Sequence, residues 1–346
     1  MSKCWKARSG AGLAGLVLGI VLALAPQPAV AQQKDVRVML DFIIQGTHSP
    51  FFVAREKGYY KAEGLNVAVD AGKGGTNTAV SVASNVYQFG YVDLVTMVNF
   101  NVQNPANPLL AVYMAFDETP LAVVTLKSKG IKTPRDLHGR KIAGGPGTAV
   151  HDTMSILLKA AKAEDVKIDW VSVSIQLWAA MLAKGEVDGI GGFTNSQIPA
   201  AMAVGFKRED IYALKYSDYG TGLYGLALVT TKKYADDNPE IVRGMVRALN
   251  RGTVDTIRDP AAALAIMKAG DPMMRNDLEQ VRLEVALGHT YTEHTKKNGL
   301  SSVDPARVQQ NIAAVVDAYK LSKAPKVEDV WTDKFLPPLA DRMVGK

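Results

Sequence analysis

Between residues 40 and 69 the chain reads LDFIIQGTHSPFFVAREKGYYKAEGLNVAV, a stretch that leaves little freedom of fold. A strand-like apolar run breaks at Gly46-Thr47-His48, and a helical pattern starts at Ser49-Pro50. Turns follow at Gly58 and Gly64, then a second strand-like run. Ser49 as N-cap and Pro50 at the first helical position are strong helix-start signals. Strand, helix and strand in such quick succession make a βαβ unit, whose strands pair in parallel. Its first loop lies beyond a strand's carboxyl end and at a helix amino terminus, where open α/β sheets bind ligands. That loop carries Gln45, Thr47 and His48, all able to hydrogen-bond, so a small molecule is expected there.

The alternation continues. Residues 36–42, 65–69, 88–91 and 109–116 read as strands, with helices over 51–57 and 77–84. A second series of short apolar strands covers 121–126, 141–143, 170–173, 187–190 and 226–230, with helices over 149–163 and 176–184. This pattern predicts an α/β fold with parallel sheets covered by helices. From residue 238 the chain reads as helices, over 239–257, 260–269, 275–289 and 305–319, two of them started by Asp259-Pro260 and Asp304-Pro305. Two similar strands, LAVVT at 121–125 and LALVT at 226–230, bracket about one domain of chain. A chain crossing out at the first and returning at the second makes an inserted lobe. The expected lobes are 32–123 with 228–346, and 124–227, hinged at 122–125 and 227–230 around a ligand cleft.

The first 31 residues are read apart from this fold. Lys3, Lys6 and Arg8 precede an apolar run from Ala11 to Ala25, and Ala29-Val30-Ala31 offers a small-x-small cleavage site. These are the marks of a secretory signal peptide, and the run is shorter than a membrane span needs. Cleavage after Ala31 removes the sole cysteine, Cys4, and with it any disulfide or thiolate metal site. It also removes three basic and no acidic residues, so the formal charge falls from +6 to +3, and nucleic-acid binding loses its main support. The expected protein is soluble and periplasmic.

Other candidate contacts follow from local chemistry. Gly72-Lys73-Gly74-Gly75 before Thr76 and Asn77, and Gly144-Gly145-Pro146-Gly147-Thr148 before His151 and Asp152, are glycine-rich turns at helix starts that suit an anion or carbonyl oxygen. Neither has the spacing of a phosphate-binding or dinucleotide fingerprint. Phe42, Trp178, Phe193 with Asn195, and Tyr219 could stack on or orient a planar ligand. Nucleophile-elbow and zinc-protease motifs are absent, and His289 and His294 stand five apart, on different helix faces. No catalytic residue, metal or cofactor is expected.

Several segments together resemble a known family. They are Gly46 to Pro50, Ala54-Arg55-Glu56-Lys57-Gly58-Tyr59-Tyr60, Glu63-Gly64-Leu65, Phe89-Gly90-Tyr91-Val92-Asp93, the IKTPRDLHGRKI run from Ile131, and Gly185-Glu186-Val187-Asp188-Gly189. They resemble periplasmic substrate-binding proteins of ABC importers for nitrate, sulfonates, taurine and thiamine pyrimidine precursors. The resemblance implies a two-lobed type II binding-protein fold, a monomer, and a permease in the membrane as partner. His48-Ser49-Pro50 is most similar to the pyrimidine-precursor branch, where this loop reaches the ligand, so His48→Ala is expected to weaken binding with little loss of stability. That branch carries aromatic-x-Asn-x-Glu where this chain has Phe193-Thr194-Asn195-Ser196-Gln197, and neutral Gln197 cannot supply a charge-assisted bond. The alternative is a secreted enzyme of thiamine-pyrimidine metabolism on the same fold. The fungal pyrimidine synthases there rely on a cysteine-rich motif that this chain lacks.

Overall fold

The computed structural model describes residues 33–345, and the expected signal peptide lies outside them. Among the described residues ten strands form two five-stranded sheets. The first contains β1 (Lys34–Met39), β2 (Leu65–Asp70), β3 (Phe89–Asp93), β4 (Leu109–Met114) and β10 (Leu226–Thr231). The second contains β5 (Leu121–Leu126), β6 (Lys141–Ala143), β7 (Asp169–Val171), β8 (Gly189–Phe193) and β9 (Ile211–Lys215). Their orders, β2-β1-β3-β10-β4 and β7-β6-β8-β5-β9, follow the same pattern.

Both sheets are mixed rather than parallel. Strand β10 runs antiparallel to β3 and β4, with Leu226 opposite Asp93, and β5 runs antiparallel to β8 and β9, with Leu121 opposite Phe193. The cause lies in the crossings. Strands β3 and β8 end where the two sheets approach; a strand arriving from the other half begins there and must run away from it.

The similar strands expected to form the hinge therefore lie wholly inside different sheets. The chain changes sheet over 115–120 and 216–225, and the expected boundaries at 123 and 228 fall inside β5 and β10. One residue grips both crossings. Arg307 donates to Asp117 Oδ1 (3.0 Å) in the first and to the Gly222 (2.6 Å) and Leu223 (3.2 Å) carbonyls in the second. Its guanidinium also lies 3.8 Å above the Tyr224 ring.

The carboxyl third is helical, as the pattern predicts. In Pro239–Arg258 the buried Val242, Met245, Val246 and Leu249 follow helical spacing and belong to the first sheet's core. The tail then lays Val330 and Thr332 against Ala111 of edge strand β4, with backbone bonds of 2.9 and 3.1 Å, which covers that edge.

Candidate functional site

The loop after β1 is held from beneath by His48. Gln45 N–H donates to His48 Nδ1 (3.2 Å), so the proton sits on Nε2, which donates to Asp41 Oδ1 (2.8 Å). The ring is fully buried and meets Tyr91 edge-on at 6.1 Å. Ser49 Oγ bonds the Gly46 carbonyl (2.7 Å) and completes the turn into the helix Ser49–Glu56. His48 thus braces the turn with both nitrogens engaged, whereas the sequence suggested a side chain offered to a ligand. Gln45 is also buried, and Phe42 is half-buried.

Thr47, between them, reaches across to the second half. Asn195 Nδ2 donates to Thr47 Oγ1 at 3.2 Å. Asn195 lies in the first turn of the helix Thr194–Ala203, just after β8, and is 1% exposed. Its Oδ1 is buried with no hydrogen-bond partner. An unmet buried acceptor costs about 1–3 kcal/mol, so this atom calls for a donor. Next to it, Phe193 packs against the first sheet's core and against an apolar cluster shared by both sheets, and Gln197 is buried beside Gly192.

The glycine loops shape the walls without presenting an anion cradle. Gly72 N–H donates to the Phe42 carbonyl (2.9 Å) and Gly74 N–H to the Asp41 carbonyl (2.8 Å). A Cβ at Gly72 would come within 1.8 Å of the Leu40 carbonyl oxygen, so only glycine fits. Thr76 and Asn77 stay exposed at the start of the helix Gly75–Ala83. In the other half, Gly144 N–H bonds the Val171 carbonyl (3.1 Å), Gly145 N–H the Thr148 hydroxyl (3.3 Å), and Gly147 N–H Asp152 Oδ1 (3.1 Å). Thr148 closes its own turn through the Gly145 carbonyl (2.8 Å). His151 is half-buried, bonded to Asp152 (2.8 Å) and edge-on to Trp170 at 4.9 Å.

Three acidic side chains that the sequence reading left out of the site stand at the same end of the two sheets. Asp41 pairs with His48. Asp93 caps the helix Leu94–Gln103 through Thr96 N–H (2.9 Å), and Asp152 holds the Gly147 turn. Burial raises the Asp93 pKa and Asp41 adds to the rise, against the Thr96 hydrogen bonds. The Tyr319 pKa is pushed up by burial first, then by the charges of Asp93 and Asp152.

Two expected contacts sit elsewhere. Trp178 is 3% exposed inside the second sheet's core, and its indole N–H bonds the Val173 carbonyl (3.0 Å). Tyr219 donates to the Lys132 carbonyl (3.4 Å) beside Tyr212 of edge strand β9, which donates to the same oxygen (3.1 Å). Helical spacing explains the first, since Trp178, Leu182 and Met181 face inward together.

The helix Asn276–Thr290 spans the two halves. Val281 and Val285 pack against the second sheet's core and Ala286 belongs to the first's. Near its end, His289 Nε2 meets Thr194 Oγ1 (2.7 Å) and the ring stacks on Phe116 of the first crossing at 5.8 Å. Burial drives the His289 pKa down to about 4, with a smaller push from Lys215. Between this helix and the first sheet lies a cavity of about 20 Å³ lined by Thr47, Phe51, Tyr91, Phe116 and Leu283. It has room for roughly one water. Among the described residues no three His, Cys, Asp or Glu side chains are grouped to hold a metal. His294, at the start of the short helix that follows, bonds the Ser302 carbonyl (3.0 Å).

Residues 45–263 match the model of the family described as NMT1/THI5 like. The formylaminopyrimidine-binding protein of Halalkalibacterium halodurans is 24% identical over 92% of this chain and 96% of its own. A 4-amino-5-hydroxymethyl-2-methylpyrimidine phosphate synthase of Legionella pneumophila is 22% identical over 72% of this chain and 77% of its own. Among solved structures, the periplasmic aliphatic sulphonate binding protein of Escherichia coli superposes with a TM-score of 0.67 at 15% identity, covering 86% of this chain and 92% of its own. That likeness shows the two-lobed binding-protein fold.

Proposed function

The chain belongs to the NMT1/THI5-like family, and we propose that it is the solute-binding component of an ABC importer, carrying an aminopyrimidine-like solute to its permease. The carrying observation is Asn195 Oδ1, a buried acceptor without a donor beside the Thr47 contact. A ring-bound amino group supplies such a donor, and a planar ring suits the half-buried Phe193 next to it. The carboxylates of Asp41, Asp93 and Asp152 favour the same class. A sulfonate or nitrate needs donors, and the N–H groups of Gly72, Gly74, Gly144, Gly145 and Gly147 are already given to protein acceptors. Asn195, Thr47, Phe42, Phe193, Thr76, Asn77 and the Thr148–His151 turn are the proposed contacts, with His48 and Gln45 beneath them. The leader-like first 31 residues support export to the periplasm.

The enzyme reading draws on the Legionella relative's name. Both His48 nitrogens being hydrogen-bonded favours binding over chemistry at that residue. Titration calorimetry with formylaminopyrimidine and 4-amino-5-hydroxymethyl-2-methylpyrimidine, against an alkanesulfonate and nitrate, tests the proposal. One-to-one binding of a pyrimidine, recovered unaltered, is expected. Binding of the sulfonate or nitrate alone overturns the ligand class, and conversion of the pyrimidine overturns the transport reading.

A further inference from the structure

The sides of the site are tied together by a buried ion pair that belongs to neither. Glu279, 9% exposed on the bridging helix, accepts the Gly46 N–H through Oε2 at 2.5 Å. The approach is so close that a Cβ on Gly46 would fall 2.6 Å from the Glu279 carbonyl oxygen. One turn on, Arg282 donates Nε to both Glu279 carboxylate oxygens (3.2 and 3.1 Å) and Nη1 to the Asn195 carbonyl (2.9 Å). Asn195 returns to Thr47, the neighbour of Gly46, through its side chain. The bonds close a ring: Gly46, Glu279, Arg282, Asn195, Thr47.

We propose that Glu279 and Arg282 are the positioning pair of the binding site, fixing the Gly46–His48 turn and the Asn195 helix start in register and setting how readily the two halves close. The physical reason is desolvation. The side chains of both are about one-eighth exposed, at 12% and 13%, so neither charge can lose its partners without being stranded in a poorly hydrated place. The ring is therefore made or broken together with the contact between the halves. A ligand that engages Asn195 acts on an element whose backbone is already held by Arg282.

The consequence for affinity rests on the binding reading above; the consequence for closure does not. Spin labels on Lys61→Cys in the first half and Lys184→Cys in the second, with Cys4→Ser, report the separation of the halves by pulsed electron resonance. Glu279→Gln and Arg282→Gln should each move the ligand-free distances toward longer values, the double variant no further than either single one, and Arg282→Lys should recover part of the shift. Formylaminopyrimidine affinity should fall roughly tenfold in the single variants, as expected for losing a charged hydrogen bond. Wild-type distances in both variants, with circular dichroism unchanged, overturn the pair's role. Failure of the wild-type protein to bind the pyrimidine overturns the ligand class and leaves the distance result standing.

Discussion

The Asn195 carboxamide donates to the Thr47 hydroxyl while its own oxygen, buried in the same place, receives nothing. Thr47 belongs to the first half and Asn195 to the second, so the unsatisfied atom sits at the meeting of the two. Asn195→Ala should weaken pyrimidine binding by about 1–3 kcal/mol, because it removes the acceptor offered to the ligand. The folded protein should lose only about 1 kcal/mol, the share of the Thr47 hydrogen bond, since the missing acceptor was unpaired. Calorimetry alongside thermal unfolding separates the two effects, and an unchanged Kd refutes the contact.

His48→Ala is expected to act the other way round. Deleting a fully buried ring leaves a cavity and strands Asp41, which should cost about 3 kcal/mol or more of folding stability. Urea unfolding measures this directly; a loss below about 1 kcal/mol would contradict the bracing role. The sequence-based expectation of a stable, binding-deficient variant is replaced by this one.

Acid should loosen the bridging helix through His289. Its folded pKa of about 4 lies below the ordinary histidine value of 6.5, so the unfolded chain binds the proton more readily. The neutral ring's contribution is complete above about pH 6.5 and is lost as pH falls toward 4, amounting to about 3 kcal/mol across the window. His289→Gln should flatten the slope of stability against pH in that interval. A slope identical to wild type would show that other groups produce it.

Asp93 has the opposite sign. Burial raises its folded pKa, so ionisation is penalised in the native state and its contribution to stability declines as pH rises through and above the ordinary carboxylate range. Asp93→Asn keeps an oxygen for the Thr96 N–H and removes the charge. It should match or exceed wild-type melting temperature at neutral pH and lose that advantage at acid pH. Lower stability at neutral pH would mean that the charge itself is needed.

Arg307 offers a test of the crossings. Arg307→Met should destabilise by about 3 kcal/mol by leaving buried Asp117 without its counter-charge, held only by the Thr292 hydroxyl. Amide exchange should rise together over 115–120 and 216–225, which are joined through this side chain. Exchange that rises over one crossing only would break the link.

What was legible followed from local signals. The βαβ opening and the proline-started helices are written in neighbouring residues. Strand β9, IYALK, lies at a sheet edge with no clean alternation, and the helices LVTMVNFNVQ and TNSQIPAAMA carry β-branched residues or an internal proline that hide their period. The His48–Asp41 brace was within reach, since a strand-end aspartate stands seven residues before the histidine. The Gly46–Glu279 bond was not, because 233 residues separate its partners and no periodicity spans them.

The strand order also dictates when each sheet can be finished. All five strands of the second sheet lie within one unbroken stretch, from Leu121 to Lys215. The first sheet has β10 between β3 and β4, so its middle stays open until Thr231 is present. As the polypeptide emerges from its amino end, the later-numbered sheet completes first. The earlier strands wait with a gap that only the returning chain can fill.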